Sequence, residues 1–333
     1  MRHQGILRRS APGSPGSRGW NAGRDRILTA MSVLVIFNPI SGAGRGRALA
    51  EAVSDAATAR GLDIELLPTS PGPAEAWLRA PLAGRDALVV VGGDGAVRLA
   101  APEAARSDVP MVHCPAGNEN LFAREFGMRA AGESVARTLL DGVVRRIDLA
   151  TAEIEGRASE DLVLMASFGL DAEVVHDLSA VRTGSVSNLS YVRPILRQIR
   201  SFEPPRVTAT VDGSVVAEDL PGMVVVANSR QYAIRLDPAR RARMDDGLLD
   251  LVILPCRGTL DLLGWFPRTR LGRHMADSRL VYEQGRRIDL ELSRPRRWQV
   301  DGDPPHDPEV ASRIGFEVVP GALPVLVPPL ERR

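Results

Sequence analysis

Asp86-Ala87-Leu88-Val89-Val90-Val91-Gly92-Gly93-Asp94-Gly95 decides the reading of the fold. An unbroken apolar run rich in valine predicts a strand buried on both faces, as a parallel sheet covered by helices demands. The run stops at three glycines set around one aspartate. Glycine has no Cβ to hold a phosphate away from main-chain N–H groups, and an aspartate there can face a Mg²⁺ ion or a nucleotide hydroxyl. The plain alternative is a tight turn in which Asp94 caps a helix.

Strands and helices alternate on either side of this stretch. Ser32–Phe37 reads as a strand closed by Asn38-Pro39, and Leu49, Ala52, Val53 and Ala56 then recur at helical spacing. Asp63–Leu67 and Met111–Cys114 read as further strands, Ala74–Leu82 and Leu121–Phe126 as helices. Alternation predicts a parallel, Rossmann-like sheet with ligands beyond the carboxyl ends of its strands. From about Arg146 the texture changes. Arg146–Ile154, Asp161–Phe168, Arg206–Val211, Met223–Ala227, Leu248–Leu254, Arg279–Glu283, Arg287–Leu292, Arg297–Val300 and Ile314–Val319 all read as strands, with Asp212-Gly213 as a hairpin turn. Helical interruptions are expected near Ala172–Arg200 and Thr259–Met275. The expected architecture is α/β: a parallel nucleotide-binding domain over 31–145, rejoined by 320–333, and a mainly antiparallel β-sandwich over 146–319. Residues 1–30 read as a disordered leader or a mis-called start, with Met31 as the true one.

Composition narrows the chemistry. The 333 residues carry a net charge of +1, too small for a dedicated nucleic-acid binder. No lysine occurs, and all 42 basic residues are arginine. That excludes the Walker A loop and lysine Schiff-base chemistry, so phosphate contacts must come from arginine, main-chain N–H groups or a metal. Two distant cysteines, Cys114 and Cys256, fit a reducing cytoplasm better than a disulfide scaffold. No apolar run approaches the roughly 20 residues of a membrane-spanning helix. His113, His176, His274 and His306 show no metal-ligand spacing.

Two further loops carry chemistry. Asn38-Pro39-Ile40-Ser41-Gly42-Ala43-Gly44 precedes a helix whose positive N-terminus suits phosphate, although its glycine spacing is not that of a dinucleotide fingerprint. In Pro115-Ala116-Gly117-Asn118-Glu119-Asn120-Leu121-Phe122-Ala123-Arg124 the asparagines can bind nucleotide edges or simply cap a helix, and Arg124 can orient a phosphate or an acidic neighbour.

In this order and spacing, the three loops resemble the diacylglycerol kinase catalytic domain family, a lipid-kinase relative of the NAD kinases. The family patterns N-P-x-S-G, G-G-D-G-T and P-x-G-T-x-N-x-x-A-R are met by Asn38, Pro39, Ser41 and Gly42, by Gly92 to Gly95, and by Pro115, Gly117, Asn120, Ala123 and Arg124. The likeness continues through Ile147-Asp148-Leu149, Gly169-Leu170-Asp171-Ala172, Asp246-Gly247-Leu248-Leu249-Asp250 and Val300-Asp301-Gly302-Asp303.

The resemblance implies ATP- and Mg²⁺-dependent phosphorylation of a lipid hydroxyl, of diacylglycerol or a similar acceptor at a membrane surface. It implies Asp301 as general base and Gly92, Gly93, Asp94 and Gly95 as the phosphate cradle. Asp94 and Asp303 would hold the catalytic metal, and Asp246 a separate structural Mg²⁺ with the carbonyls of Arg243 and Leu248. Asn38, Ser41, Gly42, Gly117, Asn118, Asn120 and Arg124 would contact the nucleotide. The acyl chain would occupy an apolar cleft of the β-rich domain. Leu260, Leu262, Leu263, Trp265 and Phe266 beside Arg268, Arg270 and Arg273 suit an anionic lipid surface, or a helix buried under a loop. A cytoplasmic protein, peripheral at the inner membrane face, is expected, and a homodimer stays open.

The chain departs from the family pattern at Ala96, Arg98, Leu99, Asn118 and Leu121. Arg98 could add phosphate charge. Alternatively, the departures mark a catalytically impaired nucleotide- or lipid-binding protein. An NAD-kinase-like enzyme is the third reading, weakened because Arg98-Leu99 replaces its usual N-E pair.

Overall fold

The computed structural model describes residues 30–39, 44–180, 202–307 and 309–329. Four strands, β1 (Ser32–Phe37), β2 (Asp63–Pro68), β3 (Ala87–Gly92) and β4 (Met111–Pro115), pair in parallel in the order β2-β1-β3-β4. Every residue of β3 is buried, as its unbroken apolar run requires. Helices α1 (Arg45–Thr58), α2 (Ala74–Leu82), α3 (Asp94–Arg106), α4 (Leu121–Phe126) and α5 (Gly132–Asp141) follow in sequence. α1 packs with α5 and α2 with α3.

The rest of the sheet is antiparallel: β5 (Val143–Glu153), β6 (Glu160–Leu162), β7 (Met165–Phe168), β8 (Arg206–Val211), β9 (Ser214–Ala227), β10 (Leu249–Pro255), β11 (Val281–Gly285), β12 (Arg287–Val300) and β13 (Val310–Val327). β13 joins the two regions. It pairs antiparallel with β12 and β5, then meets β4 in parallel at Val325–Met111. One hydrophobic core fills the parallel region and reaches Trp265. A second gathers Phe168, Trp298 and Phe316 between the antiparallel strands.

Several sequence expectations are revised. Asp161–Phe168 is not one strand but β6 and β7, broken at Val163-Leu164. The N–H groups of Val163, Leu164 and Met165 all point at one carboxylate, that of Asp301. A strand sends successive N–H groups to opposite sides, so three in a row on one acceptor require a break. Arg287–Leu292 and Arg297–Val300 are one strand with a register irregularity between Glu291 and Arg296. The helix expected near Ala172–Arg200 is α6 (Leu170–Ala180) where described, and residues 181–201 lie outside the described residues. Thr259–Met275 is α7 (Thr259–Arg270), followed by a separate 3₁₀ turn at Arg273–Ala276.

Candidate active site

The glycine loops meet backbone to backbone at the carboxyl ends of β3 and β4. A Cβ on Gly117 would stand 2.7 Å from the Gly93 Cα and 3.0 Å from the Asn120 Oδ1. Only glycines allow that approach. The Gly92 carbonyl accepts the Ala116 N–H at 2.7 Å and pairs with His113 Nε2 at 2.9 Å. Burial pushes the His113 imidazole below its usual pKa, so a neutral ring braces the strand end. His176 and His274 likewise pair with main-chain carbonyls, those of Trp298 and Pro238.

Asp94 begins α3, yet its side chain serves another helix. Its two oxygens accept the N–H groups of Leu121 and Phe122 at 3.0 and 3.1 Å, capping α4. Asn120, at φ 48°, turns its amide back on its own loop: Oδ1 accepts the Gly117 N–H at 2.9 Å and Nδ2 donates to the Gly117 carbonyl at 2.7 Å. Both side chains therefore shape the cradle. Asn38 extends the β1–β3 pairing through its N–H to the Val91 carbonyl, and Asn118 is exposed at the loop tip. Ser41 and Gly42 lie outside the described residues. Arg124 faces acidic and polar neighbours: Glu119 at 3.4 Å, Gln231 at 2.8 Å and Asp237 at 3.8 Å. It ties α4 to the segment Ser229–Asp237.

Asp301 and Gly302 form a two-residue hairpin turn, with φ 51° and 86° and paired main-chain bonds between Val300 and Asp303. The Asp301 carboxylate is buried against the β6–β7 break. Oδ1 accepts from Leu164 and Met165 at 2.7 and 3.0 Å, and Oδ2 from Val163 at 2.9 Å. Burial raises its pKa, opposed by Arg98 and by those three N–H groups. Two residues on, Asp303 reaches the cradle: a Cβ on Gly95 would stand 3.2 Å from its Oδ2. The turn therefore lies against the first turn of α3, whose leading N–H groups carry the positive end of the helix dipole.

Arg98 is a correction. It does not stand open to phosphate, because it is buried and paired with Glu160, with a further 3.4 Å bond to the Pro304 carbonyl. His306 Nδ1 meets the same Glu160 oxygen at 2.7 Å. Burial pushes the Glu160 carboxyl up, but Arg98 and His306 together hold it below the usual carboxylate range. Glu160 and Asp161 are adjacent acids of a three-residue strand, and nothing in the sequence marked Glu160. Also unmarked was a polar chain leading away from the turn. Gly302 N–H donates to Gln299 Oε1, Gln299 Nε2 to Ser167 Oγ, and the hydroxyls of Ser167 and Tyr232 both donate to Asp171 Oδ2. Tyr232 in turn lines a narrow apolar cleft with Met223, Leu236, Leu262, Trp265 and Phe266.

The donor sets bear on Mg²⁺. Among the described residues no three His, Cys, Asp or Glu side chains form a metal cage. An ion carried by nucleotide phosphates needs only one or two protein carboxylates, and Asp303, directed at the glycine turn, fits that need. Asp246 offers a second set. Burial and the charges of Asp148 and Asp245 raise its pKa, and nearby Asp250 keeps a buried Oδ2 without a hydrogen bond. The Leu248 N–H and Arg243 offset part of the Asp246 charge, and a divalent cation would offset more of it.

The chain was compared with known proteins. The model described as Diacylglycerol kinase catalytic domain matches residues 32–152, and the YegS C-terminal NAD kinase beta sandwich-like domain matches 165–327. A protein named diacylglycerol kinase from Mycobacterium tuberculosis is 28% identical over 314 residues, covering 92% of this chain and 99% of its own. One from Pseudomonas fluorescens, named "Probable lipid kinase YegS-like", is 28% identical over 281 residues, covering 83% and 90%. A crystal structure of a diacylglycerol kinase from Bacillus anthracis shares the fold with a TM-score of 0.64 at 18% identity, covering 90% of this chain and 97% of its own. With two adjoining family models spanning most of Ser32 to Val327 and relatives matched nearly end to end, the chain belongs to the diacylglycerol kinase catalytic domain family of lipid kinases.

Proposed function

We propose that the protein transfers the γ-phosphoryl group of ATP, with Mg²⁺, to the hydroxyl of diacylglycerol or a similar lipid. One observation carries the reading: two glycine loops in backbone contact are faced by the Asp301–Asp303 turn, whose Oδ2 at Asp303 lies 3.2 Å from the Cβ position of Gly95. The Rossmann-like parallel strands, over 31–145 with 320–333 returning, would form the nucleotide domain, and 146–319 the lipid domain.

Phosphoryl transfer asks for alignment, charge stabilisation and a proton acceptor. The main-chain N–H groups around Gly93, Gly95 and Gly117 would bind phosphate oxygens. Asp303 would hold the Mg²⁺, which supplies charge neutralisation on those oxygens. The lipid hydroxyl oxygen forms the new bond to phosphorus as the bond to the ADP oxygen breaks, and Asp301 takes the hydroxyl proton. A carboxyl raised by burial is a better proton acceptor near neutral pH than an exposed one. Asp94 and Asn120 act indirectly, by fixing the loops.

A second reading has its own observation. All three N–H bonds to Asp301 come from the fold, so the carboxylate has a structural task whether or not it accepts protons. A non-catalytic nucleotide- or lipid-binding protein would use the same geometry. A labelled-ATP assay against a panel of extracted lipids separates the two. Wild type should label a lipid, whereas Asp301→Asn should bind ATP without turnover. ATP binding by wild type with no labelled lipid would leave the binding reading standing.

A further inference from the structure

Three side chains, Gln299, Ser167 and Asp171, lead from the Asp301 turn to the start of α6, and each has its hydrogen-bonding role fixed by the next. Asp171 lies in the first turn of that helix. Its Oδ2 accepts two hydroxyls, from Ser167 and Tyr232, while its Oδ1 is shut away from solvent with no hydrogen bond. Burial and the charge of Asp171 hold the Tyr232 phenol above its usual pKa, so Tyr232 keeps its proton and donates. An ionised carboxylate only accepts, so Ser167 must donate to it as well.

The serine has one proton, and it is spent on Asp171. What Ser167 turns to Gln299, its cross-strand partner on β12, is a lone pair, and Gln299 Nε2 donates to it at 2.7 Å. With its nitrogen committed to that side, the amide presents Oε1 on the other, where it accepts the Gly302 N–H at 2.8 Å. Ser167 and Gln299 are only 1% and 3% exposed, so water offers neither of them a substitute partner. Were the serine proton free to turn to Gln299, the amide would reverse and set its NH₂ against the Gly302 N–H, donor against donor. Gly302 stands between Asp301 and Asp303 in the turn.

We infer that Asp171 is a positioning residue: as the terminal acceptor it sets the direction of the chain through Ser167 and Gln299, and so holds the Asp301–Gly302 turn in place beside α3. Tyr232 brings the wall of the apolar cleft to the same oxygen, so the turn and the cleft share one anchor. The consequence for turnover deepens the lipid-kinase reading and rests on it, but the hold on the turn needs neither ATP nor lipid.

Asp171→Asn and Asp171→Leu in the full chain separate the acceptor from the charge. The asparagine oxygen can take both hydroxyls, and its NH₂ replaces an oxygen with no hydrogen bond to lose, so kcat should stay near wild type. Leucine keeps the bulk but accepts nothing. Its kcat should fall about 10–100-fold, as for a misplaced catalytic group, with the KM for ATP unchanged because the glycine loops take no part in the chain. Ser167→Ala, a smaller change that carries the test if the leucine variant does not fold, should fall as far, and the double variant Asp171→Leu/Ser167→Ala no further than either. Thermal melts check that each variant is folded. A folded Asp171→Leu with the wild-type kcat, an Asp171→Asn as impaired as Asp171→Leu, or losses that multiply in the double variant overturns the inference. Amide hydrogen exchange followed by NMR, without ATP or lipid, tests the hold itself. The Gly302 N–H should exchange faster in Asp171→Leu and Ser167→Ala, and as in wild type in Asp171→Asn; unchanged exchange in the first two also overturns it. If wild type labels no lipid while exchange follows the expected pattern, the kinase reading fails and the anchor stands.

Discussion

Arg98 on α3 and Glu160 on β6 form an ion pair that joins the glycine-loop helix to the antiparallel region, with side chains only 8% and 11% exposed. Arg98 also bonds the Pro304 carbonyl, so one guanidinium holds the Asp301–Pro304 turn beside α3. Removing Glu160 leaves the Arg98 charge buried without its carboxylate, and removing Arg98 leaves Glu160 with His306 alone, losses of up to about 3–5 kcal/mol. Arg98→Met and Glu160→Met should each lower the midpoint of chemical denaturation accordingly. The double variant Arg98→Met/Glu160→Met should recover a large part of the loss, since no isolated charge remains. Strict additivity in this double-mutant cycle would show that the pair is not coupled.

Gly117 and Gly44 make a matched contrast. Gly44 has φ +90°, but a Cβ there would meet nothing within 4 Å, so Gly44→Ala should cost about 1–2 kcal/mol of left-handed strain and little else. In Gly117→Ala the methyl would strike main chain, at 2.7 Å from the Gly93 Cα, and must push the loops apart. Nucleotide affinity measured by calorimetry should fall at least ~10-fold in Gly117→Ala, as expected when backbone N–H groups are displaced from a phosphate. It should stay near wild type in Gly44→Ala. Equal affinities would mean that the loop contact does not form the phosphate site.

Much of this arrangement is legible in the sequence, and the reason is local. β3, β4 and the Gly92–Gly95 turn announce themselves because an apolar run, its length and its terminal glycines are all short-range features. The Asp212-Gly213 turn is readable for the same reason, and both residues take the positive φ it needs. What could not be read are pairings between distant residues. Glu160 carries no local mark of its bond to Arg98, 62 positions away. The break at Val163-Leu164 hides inside an apolar run because its cause, the Asp301 carboxylate, lies about 137 residues on. Asp94 shows a further limit: its place at the start of α3 suggested a cap, but the helix it caps is α4.

Asp250 gives the molecule a pH signature. Burial raises its carboxyl from 3.8 to about 6, against the Tyr282 hydroxyl and Gln284, and the Asp246 charge adds to the rise. The folded chain thus keeps a proton that the unfolded chain has already released. This stability is fully present below the unfolded value and drains away as the pH climbs from about 4 to about 6, by roughly 3 kcal/mol at most. In the presence of a chelator, Asp250→Asn should flatten that slope. Mg²⁺ added at pH 7 should raise the melting temperature of wild type, because an ion held near Asp246 binds only the folded chain. Asp246→Asn should abolish the increment. An identical Mg²⁺ response in that variant would remove Asp246 from the metal site.

Asp301→Asn tests more than chemistry, because the carboxylate accepts three main-chain N–H groups. The amide oxygen can still serve Leu164 and Met165, but its NH₂ then faces the Val163 N–H, donor against donor. That mismatch should cost about 1–3 kcal/mol of stability. Loss of a proton acceptor should lower turnover by roughly 10²–10⁴-fold. The two effects separate by temperature: turnover measured well below the variant's melting transition reports the base, and the denaturation midpoint reports the hydrogen bonds. If the variant is folded, binds ATP as wild type does and still phosphorylates lipid at the wild-type rate, Asp301 is a structural aspartate and the proton goes elsewhere. If turnover is lost while ATP binding holds, the same carboxylate both closes the β6–β7 break and takes the proton.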